Sequence, residues 1–514
     1  MMVHTAYGAD RTVKQRSKQA LQDEFLQRAV KFTTQRLKNG KQKAAEEHGN
    51  WEQWRERGRQ IRLHTIAHLD YYLNLFADNA RKHGADVYFA KDAADAASIT
   101  REIVREKQAK TVVKSKSMVT EELHINQVLA EMDVAAIETD LGEYIIQLAQ
   151  EPPSHIIIPA IHKNKQQIAD LLSEEAGEKL EADTQVLAGF VRRKLREQFL
   201  SAEIGITGCN FAIAESGSIV IFENEGNARM VSTLPKTQIT YMGMERIIPS
   251  FEDLEVMATL LPRSATGQKL TAYMSAITGP KRRGDGDGPE ELHIIIIDNG
   301  RSRQLGDPDF QELLNCIRCG ACLNVCPVYR HIGGHSYGSV YSGPIGAVLT
   351  PALQEDPAQW QDIADASSLC GACWEACPVK IPLHDMLVYL RSRKVESGVT
   401  PPAEKAAFRG FSYVMSDPRR LSRLLKAGRI GQKLVARGGY IRIKGPLKGW
   451  TNYRDLPELP PQSFRDRWPE LAQELEREQP AATMIQEIEA RLKKVLEERA
   501  KGARGNDRWQ RCKR

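Results

Sequence analysis

Two short runs of cysteine constrain this chain more than any other feature. Seven of its nine cysteines fall in these runs, and each run ends in Cys-Pro. The first run follows the full C-x2-C-x2-C-x3-C-P pattern, with Cys316, Cys319, Cys322 and Cys326. The second run has Cys370, Cys373 and Cys377, and Ser367 stands where a further cysteine would be. This spacing is typical of loops that hold iron-sulfur clusters, so the sequence predicts a protein that moves electrons.

The two runs predict two clusters with unequal sets of ligands. In two-cluster ferredoxins, three thiolates of a run bind one cluster and the fourth binds the other. The first cluster then has four cysteines: Cys316, Cys319, Cys322 and Cys377. The second has three: Cys326, Cys370 and Cys373. Its fourth iron is either absent, as in a 3Fe-4S cluster, or bound by water, by a partner's residue, or by one of Ser367, His335, His384 and Cys209.

Zinc and disulfides fit the cysteine pattern less well than iron does. Zinc would take four thiolates in a tetrahedral site, whereas the first run crowds four ligands into eleven residues. Disulfides belong to oxidising compartments, and the sequence shows no charged segment followed by an apolar one that would direct export. No apolar run approaches the roughly 18 residues of a membrane span, so we expect a cytoplasmic protein. The isolated Cys209 and Cys512 are expected to be ordinary thiols.

The pattern of apolar residues predicts four regions in the 514-residue chain. An N-terminal helical part, in which Asn39-Gly40 is expected to end a helix, precedes a part where β-branched runs alternate with helical stretches. That alternation, which includes an expected strand at His155–Ile158 and closer, hairpin-like strands between residues 204 and 248, predicts an α/β fold with a mostly parallel sheet covered on both faces. The predicted regions are 1–80 (helical), 81–304 (α/β), 305–398 (helical, two clusters) and 399–514 (basic, helical).

Positive charge is concentrated near the C-terminus. Between Lys405 and Arg454 there are thirteen Lys or Arg residues and one acid, Asp417. Such a local field speeds association with acidic surfaces at low salt, which predicts docking of an acidic redox partner. Nucleic-acid binding is not expected, because the stretch lacks interleaved aromatic platforms and a reading motif.

Several segments of the α/β region resemble the LUD domain. They are Gly208–Ser218, Asn224–Met230, Leu234–Thr237, Met244–Pro249 and Asp298–Arg301. Joined to the two cysteine runs, including the serine at 367, these segments are similar to the lactate utilization protein B family over roughly residues 70 to 465. One departure is Gln238, which stands where a histidine is expected after Leu-Pro-Lys-Thr. If that histidine acts chemically in relatives, this chain lacks the group at that turn.

The resemblance implies a fold and a function. The α/β domain is expected to share the fold of the NagB/RpiA/CoA-transferase group. The whole chain is expected to be the iron-sulfur electron-transfer subunit of a cytoplasmic system that oxidises L-lactate to pyruvate. The resemblance further implies two companion proteins, and the electrons need an acceptor protein or carrier.

The sequence leaves the place of lactate oxidation open. The glycines of Gly284–Gly288 do not follow a strand and open a helix, so they are not a dinucleotide fingerprint. Lys114, Lys116 and Arg229 are candidates for receiving a carboxylate beyond the ends of strands, although solvated basic side chains are the simpler interpretation of each. The alternative function is a small-molecule-binding or acyl-transfer LUD protein with Glu215 as nucleophile and with structural or redox-sensing clusters.

Overall fold

The structure, a computed structural model, has two compact units, Met1–Val399 and Thr400–Arg514. It describes residues 11–353, 360, 362–398, 400–441, 451, 454–478 and 481–504. None of the helices in these ranges is long and apolar enough to cross a membrane.

The N-terminal part consists of helices, as expected. They are Val13–Ala20, Glu24–His48, Trp51–Ala67 and Leu69–Lys82. The predicted stop at Asn39-Gly40 is wrong, because the second helix runs through it to His48. Gly40 serves close packing instead: a Cβ built there would lie 3.1 Å from the carbonyl oxygen of Thr266.

A six-stranded parallel sheet forms the centre of the α/β region, which confirms the predicted sheet. Its strands are β1 (Asp86–Ala90), β2 (Thr111–Lys114), β3 (Ala135–Glu138), β4 (Ile204–Gly208), β7 (Thr237–Gly243) and β10 (Glu291–Ile297). Their order in space is β1-β10-β7-β4-β2-β3, and every neighbouring pair is parallel. Along β10, Ile294 and Ile296 pack in a core with Phe76, whereas Ile295 and Ile297 pack in a core with Val104. Both faces of the sheet are therefore covered, as long runs of isoleucine in a parallel strand require.

A smaller mixed sheet packs beside the large one. Its strands are β5 (Phe211–Ile213), β6 (Ser218–Glu223), β8 (Ile247–Ile248) and β9 (Tyr273–Ile277), in the order β8-β5-β6-β9. The predicted hairpin is confirmed for β5 and β6, which pair antiparallel. The neighbouring β4 is not part of this hairpin, because it pairs with β2 and β7 in the large sheet.

Helices connect the strands of both sheets. They are Ala93–Glu106, Met118–Glu122, Ile125–Ala130, Leu141–Leu148, Lys165–Ala176, Thr184–Ser201, Asn227–Val231 and Phe251–Ala265, with a 3-10 turn at Met244–Arg246. The strand predicted at His155–Ile158 is wrong, because this segment is a loop. The Nδ1 atom of His155 accepts the N–H groups of Ile157 at 3.0 Å and Ile158 at 3.3 Å. These donors are thus satisfied within the loop and not by a neighbouring strand.

The cysteine region is built from short helices. The α-helices are Arg301–Leu305, Ala321–Val325, Tyr329–Ile332, Gly343–Leu353, Ala372–Ala376 and Leu383–Glu396, and the 3-10 helices are Gln311–Asn315, His335–Tyr337 and Ile363–Asp365. Side chains of this region share one hydrophobic core with residues of the N-terminal helices and of the smaller sheet.

The second compact unit confirms the prediction of a mostly helical C-terminal region. Its helices are Pro402–Met415, Pro418–Gln432, Phe464–Glu478 and Ala481–Arg504. A short antiparallel pair of strands, β11 (Ala436–Arg437) and β12 (Tyr440–Ile441), was not expected.

Candidate functional site

The two cysteine runs adopt the same backbone conformation. Gly320 and Gly371 occupy equivalent positions with φ of 71° and 78°, in the left-handed region that favours glycine. Each glycine starts a five-residue helix that ends at a cysteine, Cys326 or Cys377. These two cysteines have φ of −72° and −70°. The cysteine pattern therefore specifies one local fold twice.

Electrostatic neighbours among the cysteines connect the two runs. The short helices Ala321–Val325 and Ala372–Ala376 pack against each other. Cys377, from the second run, lies within electrostatic reach of Cys316 and Cys319 of the first. Cys326, from the first run, is in the same way a neighbour of Cys370 and Cys373.

The chemistry of these thiols fits a bound iron-sulfur group. Burial, followed by the neighbouring Cys377, raises the pKa of Cys319 to about 12. Burial, followed by the neighbouring Cys326, raises the pKa of Cys373 to about 12 as well. Thiolates crowded in this way need a compensating cation, and metal binding supplies one because it binds the deprotonated form.

The candidates for a fourth ligand at the second run lie in different places. Ser367 stays close to the run, and its Oγ accepts the N–H of Leu369 at 3.1 Å. The ring of His384 lies 6.0 Å from that of Trp374, and its buried Nδ1 has no hydrogen-bond partner within the described ranges.

The two remaining candidates are engaged elsewhere. The Nε2 atom of His335 is 2.8 Å from the carbonyl oxygen of Pro152, and its ring packs on that of His162 at 4.6 Å. Cys209 follows β4 and lines a cavity beside the first run. Cys512 lies outside the described residues.

The N-terminal helices reach the cysteine runs through cationic side chains. The guanidinium of Arg55 donates to the carbonyl oxygen of Cys377 at 2.8 and 3.0 Å and to that of Trp374 at 3.1 Å. The ammonium group of Lys41 donates to the carbonyl oxygen of Ala376. Nothing in the local sequence of these helices signals that role, because the contacts depend on the tertiary fold.

A buried group of charges lies next to the first run. In the described part of the chain it contains four arginines and two glutamates: Arg62, Arg246, Arg301, Arg318, Glu122 and Glu245. Arg301 binds Glu122 through two N–H···O bonds of 2.9 Å and Glu245 through one of 2.7 Å. Burial alone would raise the pKa of Glu245, but Arg301, Arg318 and Arg246 outweigh it and hold this pKa at about 2. The group therefore keeps a positive excess, and Cys316 lies within its electrostatic reach.

A cavity of about 300 Å³ lies between this charged group and the large sheet. Its walls include residues that follow β2 and β4, the turn after β6, and part of the first cysteine run: Ser115, Lys116, Ser117, Gly208, Cys209, Asn210, Glu223, Glu225, Arg246 and Arg318. Burial raises the pKa of the Cys209 thiol to about 12, so this thiol is protonated at neutral pH.

Of the three basic residues singled out in the sequence, the structure places Lys116 in this cavity. Its Nζ donates to the carbonyl oxygen of Ile157 at 3.0 Å. Lys114 is buried and bound to two acids, Glu121 and Glu138, at 2.7 Å each. Arg229 lies on the surface, 5.1 Å from the ring centroid of Tyr273. Only the first of the three is therefore placed to meet a ligand in this cavity.

Two further residues singled out in the sequence have structural roles. Gln238 is buried in β7 and donates to the hydroxyl oxygens of Thr207 and Thr240 at 3.1 Å each. Glu215 is exposed and accepts the N–H of Phe251 at 2.8 Å, where a helix begins. A nucleophilic carboxylate needs to face a bound substrate, and Glu215 does not line the cavity.

The arginines beside the first run were not predicted as functional residues. The sequence held a signal for two of these arginines, because Arg246 and Arg301 lie within the segments that resemble the LUD domain, as does Glu245. Arg62 gave no such signal. It comes from the helix Trp51–Ala67 and donates to the carbonyl oxygens of Ile247 at 2.7 Å and Leu314 at 2.9 Å.

Comparison with known proteins agrees with this organisation. The LUD domain family matches residues 73–297, the 4Fe-4S dicluster domain matches residues 312–381, and the C-terminal domain of lactate utilisation protein B matches residues 393–473. Lactate utilization protein B of Shouchella clausii is 50% identical over 464 residues, which cover 89% of this chain and 96% of that protein. The chain belongs to the lactate utilization protein B family.

Two further members of the family show the same extent of similarity. Lactate utilization protein B 1 of Bacillus mycoides is 52% identical and covers 86% of this chain and 93% of its own length. Lactate utilization protein B of Bacillus subtilis is 50% identical and covers 88% of this chain and 95% of its own length. The resemblance drawn from the sequence is thus confirmed, and so is the order of a LUD domain, a 4Fe-4S domain and a C-terminal region.

Proposed function

We propose that this chain is the iron-sulfur electron-transfer subunit of a cytoplasmic, multi-protein system that oxidises L-lactate to pyruvate. The observation that carries the proposal is the proximity of the two cysteine runs, in which Cys377 lies within electrostatic reach of Cys316 and Cys326 within that of Cys370. The names of relatives about 50% identical to this chain support lactate as the metabolite.

In this proposal two unequal sets of residues hold the clusters. The first set is Cys316, Cys319, Cys322 and Cys377, and the second is Cys326, Cys370 and Cys373. When bound, iron-sulfur clusters accept and release electrons one at a time. Ser367, His384, water or a partner's residue completes the second set, or its fourth iron is absent. We call the two sets the inner centre and the outer centre.

The surroundings of each centre suit a different task. Arg246, Arg318 and Lys41 place positive charge beside the inner centre, and such charge favours the more negative, reduced state. At the outer centre Cys370 is exposed, and Trp374 is 43% exposed. An exposed centre can come close to a partner, so we assign transfer to and from other proteins to the outer centre.

The test of this function is lactate-dependent reduction of the clusters. The chain and its companion proteins are purified together under anaerobic conditions, and L-lactate is added while the visible absorption of the clusters is followed. Bleaching with L-lactate and none with D-lactate is expected. If the companions oxidise lactate equally fast without this chain, or if its clusters stay oxidised throughout, the proposal is wrong.

A docking role for the basic stretch belongs to the same proposal. On the helix Pro418–Gln432, Arg419, Arg423 and Lys426 are exposed. Arg420 is a poorer choice, because its guanidinium lies 3.9 Å from the ring centroid of Tyr413 and donates to that residue's carbonyl oxygen. The part of the stretch at residues 442–450 and 452–453 lies outside the described residues.

The docking role is tested by charge reversal. The triple variant Arg419→Glu, Arg423→Glu, Lys426→Glu should slow association with an acidic partner at low salt, because the local positive field that attracts the partner is lost. The difference from the wild-type protein should shrink as salt rises, since exposed charges are screened over about 8 Å at physiological ionic strength. The matched control reverses the charge of three exposed lysines outside the basic stretch, Lys43, Lys110 and Lys165. It therefore has the same net charge as the triple variant in the basic stretch. Equal rates for both triple variants, or a rate that salt does not change, would count against docking here.

Two finer expectations about the fold are part of the proposal. We infer that the α/β domain shares the architecture of the NagB/RpiA/CoA-transferase group, supported by its parallel sheet with helices on both faces. The regional limits 1–80, 81–304, 305–398 and 399–514 also remain predictions. An experimental structure and limited proteolysis of the intact protein test these two expectations.

A further inference from the structure

The cavity beside the first run lies at a topological switch point of the large sheet. After β2 the next strand of the large sheet is β3, on one side, whereas after β4 the next strand of the large sheet is β7, on the other side. Because β2 and β4 are neighbours, their outgoing loops separate and leave a crevice at their carboxyl ends. Open α/β sheets bind ligands in such crevices. The residues at the carboxyl ends of these strands, Ser115–Ser117 and Gly208–Asn210, line the cavity.

The size of the cavity selects small ligands. Its volume of about 300 Å³ is at the lower end of the range for ligand pockets, roughly 300 to 1,000 Å³. A dinucleotide needs far more room. The cavity therefore suits a metabolite of a few heavy atoms.

Buried donors without acceptors mark one wall of the cavity. Arg246 and Arg318 both line it, and they are only 6% and 8% exposed. Across the residues that the structure describes, no hydrogen-bond acceptor reaches Nε of Arg246, or Nε and Nη1 of Arg318. Buried polar groups are nearly always paired, so two arginines with N–H groups of this kind at the cavity wall point to an acceptor that the described residues do not supply.

The acids that line the cavity have donors of their own. Glu223 accepts the N–H groups of Ala228 at 2.7 Å and Arg229 at 2.9 Å. Glu225 accepts the N–H of Leu141 at 3.1 Å. Asp140 accepts the N–H of Glu143, also at 3.1 Å. The lining N–H groups without acceptors thus belong to arginines, which favours an anion as the ligand.

We propose that this cavity binds a small carboxylic acid with an oxygen on carbon 2, a 2-hydroxy or 2-oxo acid, and that Arg246 and Arg318 receive its carboxylate. A planar guanidinium matches a carboxylate with two parallel hydrogen bonds. Lys116 and Ser117 line the same space and offer donors to the oxygen on carbon 2. Only the identity of the acid rests on the proposed function, since the anion site follows from the arginine N–H groups that lack acceptors.

The site also has a fixed relation to the inner centre. Arg318 lies between Cys316 and Cys319 in the chain, and its backbone N–H is 3.4 Å from the sulfur of Cys316. The acid therefore binds against the first cysteine run, on the side of the α/β domain.

The experiment measures binding to the full-length protein with its clusters reconstituted under anaerobic conditions. L-Lactate, pyruvate and the neutral isostere lactamide are titrated by calorimetry. The two acids should bind, and lactamide should not, because it lacks the carboxylate. Arg246→Gln and Arg318→Gln should each weaken binding of the acids by about tenfold or more, as expected for loss of hydrogen bonds to a charged group. Arg246→Lys should lose less, because the charge remains.

Matched controls separate binding from folding. Arg229→Gln changes an exposed arginine of the same domain that lies outside the cavity, and it should bind the acids like the wild-type protein. Each variant must keep the iron content and visible absorption of the wild-type protein. The comparison of acid with lactamide on the wild-type protein needs no variant at all.

Three results would overturn the inference. One is equal binding of lactamide and lactate, or no binding of either acid in the millimolar range. Another is unchanged affinity for the acids in both glutamine variants. The last is a shift in the cluster absorption or potential of those variants with acid affinity intact, which would mean that the arginines serve the cluster. If the acids bind as predicted but lactate never reduces the clusters in the complex, the proposed function fails and this site stands.

Discussion

The two cysteine runs share a backbone conformation and differ in their surroundings. The first run packs beside four buried arginines and a cavity of the α/β domain, and its cysteines are buried or half-buried. The second run has one cysteine fewer, and Cys370, Leu369 and Trp374 are exposed. Local sequence thus specifies the loop, whereas the packing around each loop decides which run lies against the cavity of the α/β domain and which run is exposed.

The crossed ligand sets provide the largest expected effect. Cys377→Ser should remove the inner centre, about half of the bound iron, although Cys377 belongs to the second run in sequence. Iron analysis and electron paramagnetic resonance of the anaerobic protein measure this loss. Cys209→Ser, which changes a cysteine outside both runs, should keep all of the iron. A loss confined to the outer centre would show that the sets are not crossed.

Unequal exposure predicts unequal sensitivity to air. The outer centre should be lost several-fold faster than the inner one, because Cys370 is exposed whereas Cys319 and Cys322 are buried. Samples taken at intervals after exposure to oxygen, and frozen for electron paramagnetic resonance, follow the two signals separately. Loss of both at one rate, or of the inner signal first, would break the distinction between the two centres.

The charge next to the inner centre predicts a smaller, selective effect on potential. Lys41 lies within electrostatic reach of Cys319 and Cys377, and Lys41→Gln keeps a donor for the carbonyl oxygen of Ala376. The reduction potential of the inner centre should fall, because its free energy of reduction becomes less favourable by on the order of 1 kcal/mol per electron. The potential of the outer centre should not change. Lys43→Gln, an exposed lysine two residues away, serves as the control. A shift in the outer centre alone would contradict this assignment of the charge.

The smallest expected effect concerns the pH dependence of lactate binding in the cavity beside the inner centre. Burial and the neighbouring Asp140 raise the pKa of Glu225 to about 7, and Lys116 and Glu223 act on it more weakly. Glu225 is therefore largely neutral below pH 7 and carries a negative charge above it. Affinity for lactate should fall about two- to threefold between pH 6 and pH 8.5, because the added charge repels an anion. Glu225→Gln should reduce this dependence, and an affinity that rises with pH would contradict it.

Much of the fold could be predicted because the signals for it are local. The isoleucines of β10 predict a strand covered on both faces, and the spacing of the cysteines specifies two similar loops. The errors arise where side-chain and tertiary contacts decide. Gly40 lies inside a helix and packs on Thr266, and the apolar segment at 155–158 is a loop whose backbone N–H groups are bound by the side chain of His155.

The cysteine ligands could be predicted from local sequence, whereas the arginine site could not. Within each run the cysteines are only a few residues apart, so their pattern is visible in one sequence. Arg62, Arg246, Arg301 and Arg318 come from four separate elements and meet only in the folded protein. No periodicity links such positions, and only the similarity of the surrounding segments to a known family pointed toward some of them.

The central claim, one inner and one outer centre in a single chain, is tested most directly by a reductive titration. The protein is reconstituted anaerobically, its iron is counted, and dithionite is added stepwise while electron paramagnetic resonance is recorded. The expected result is about eight irons per chain, or about seven if the outer centre is a 3Fe-4S cluster, with two distinct signals. A preparation that never exceeds four irons and shows a single signal would contradict the account.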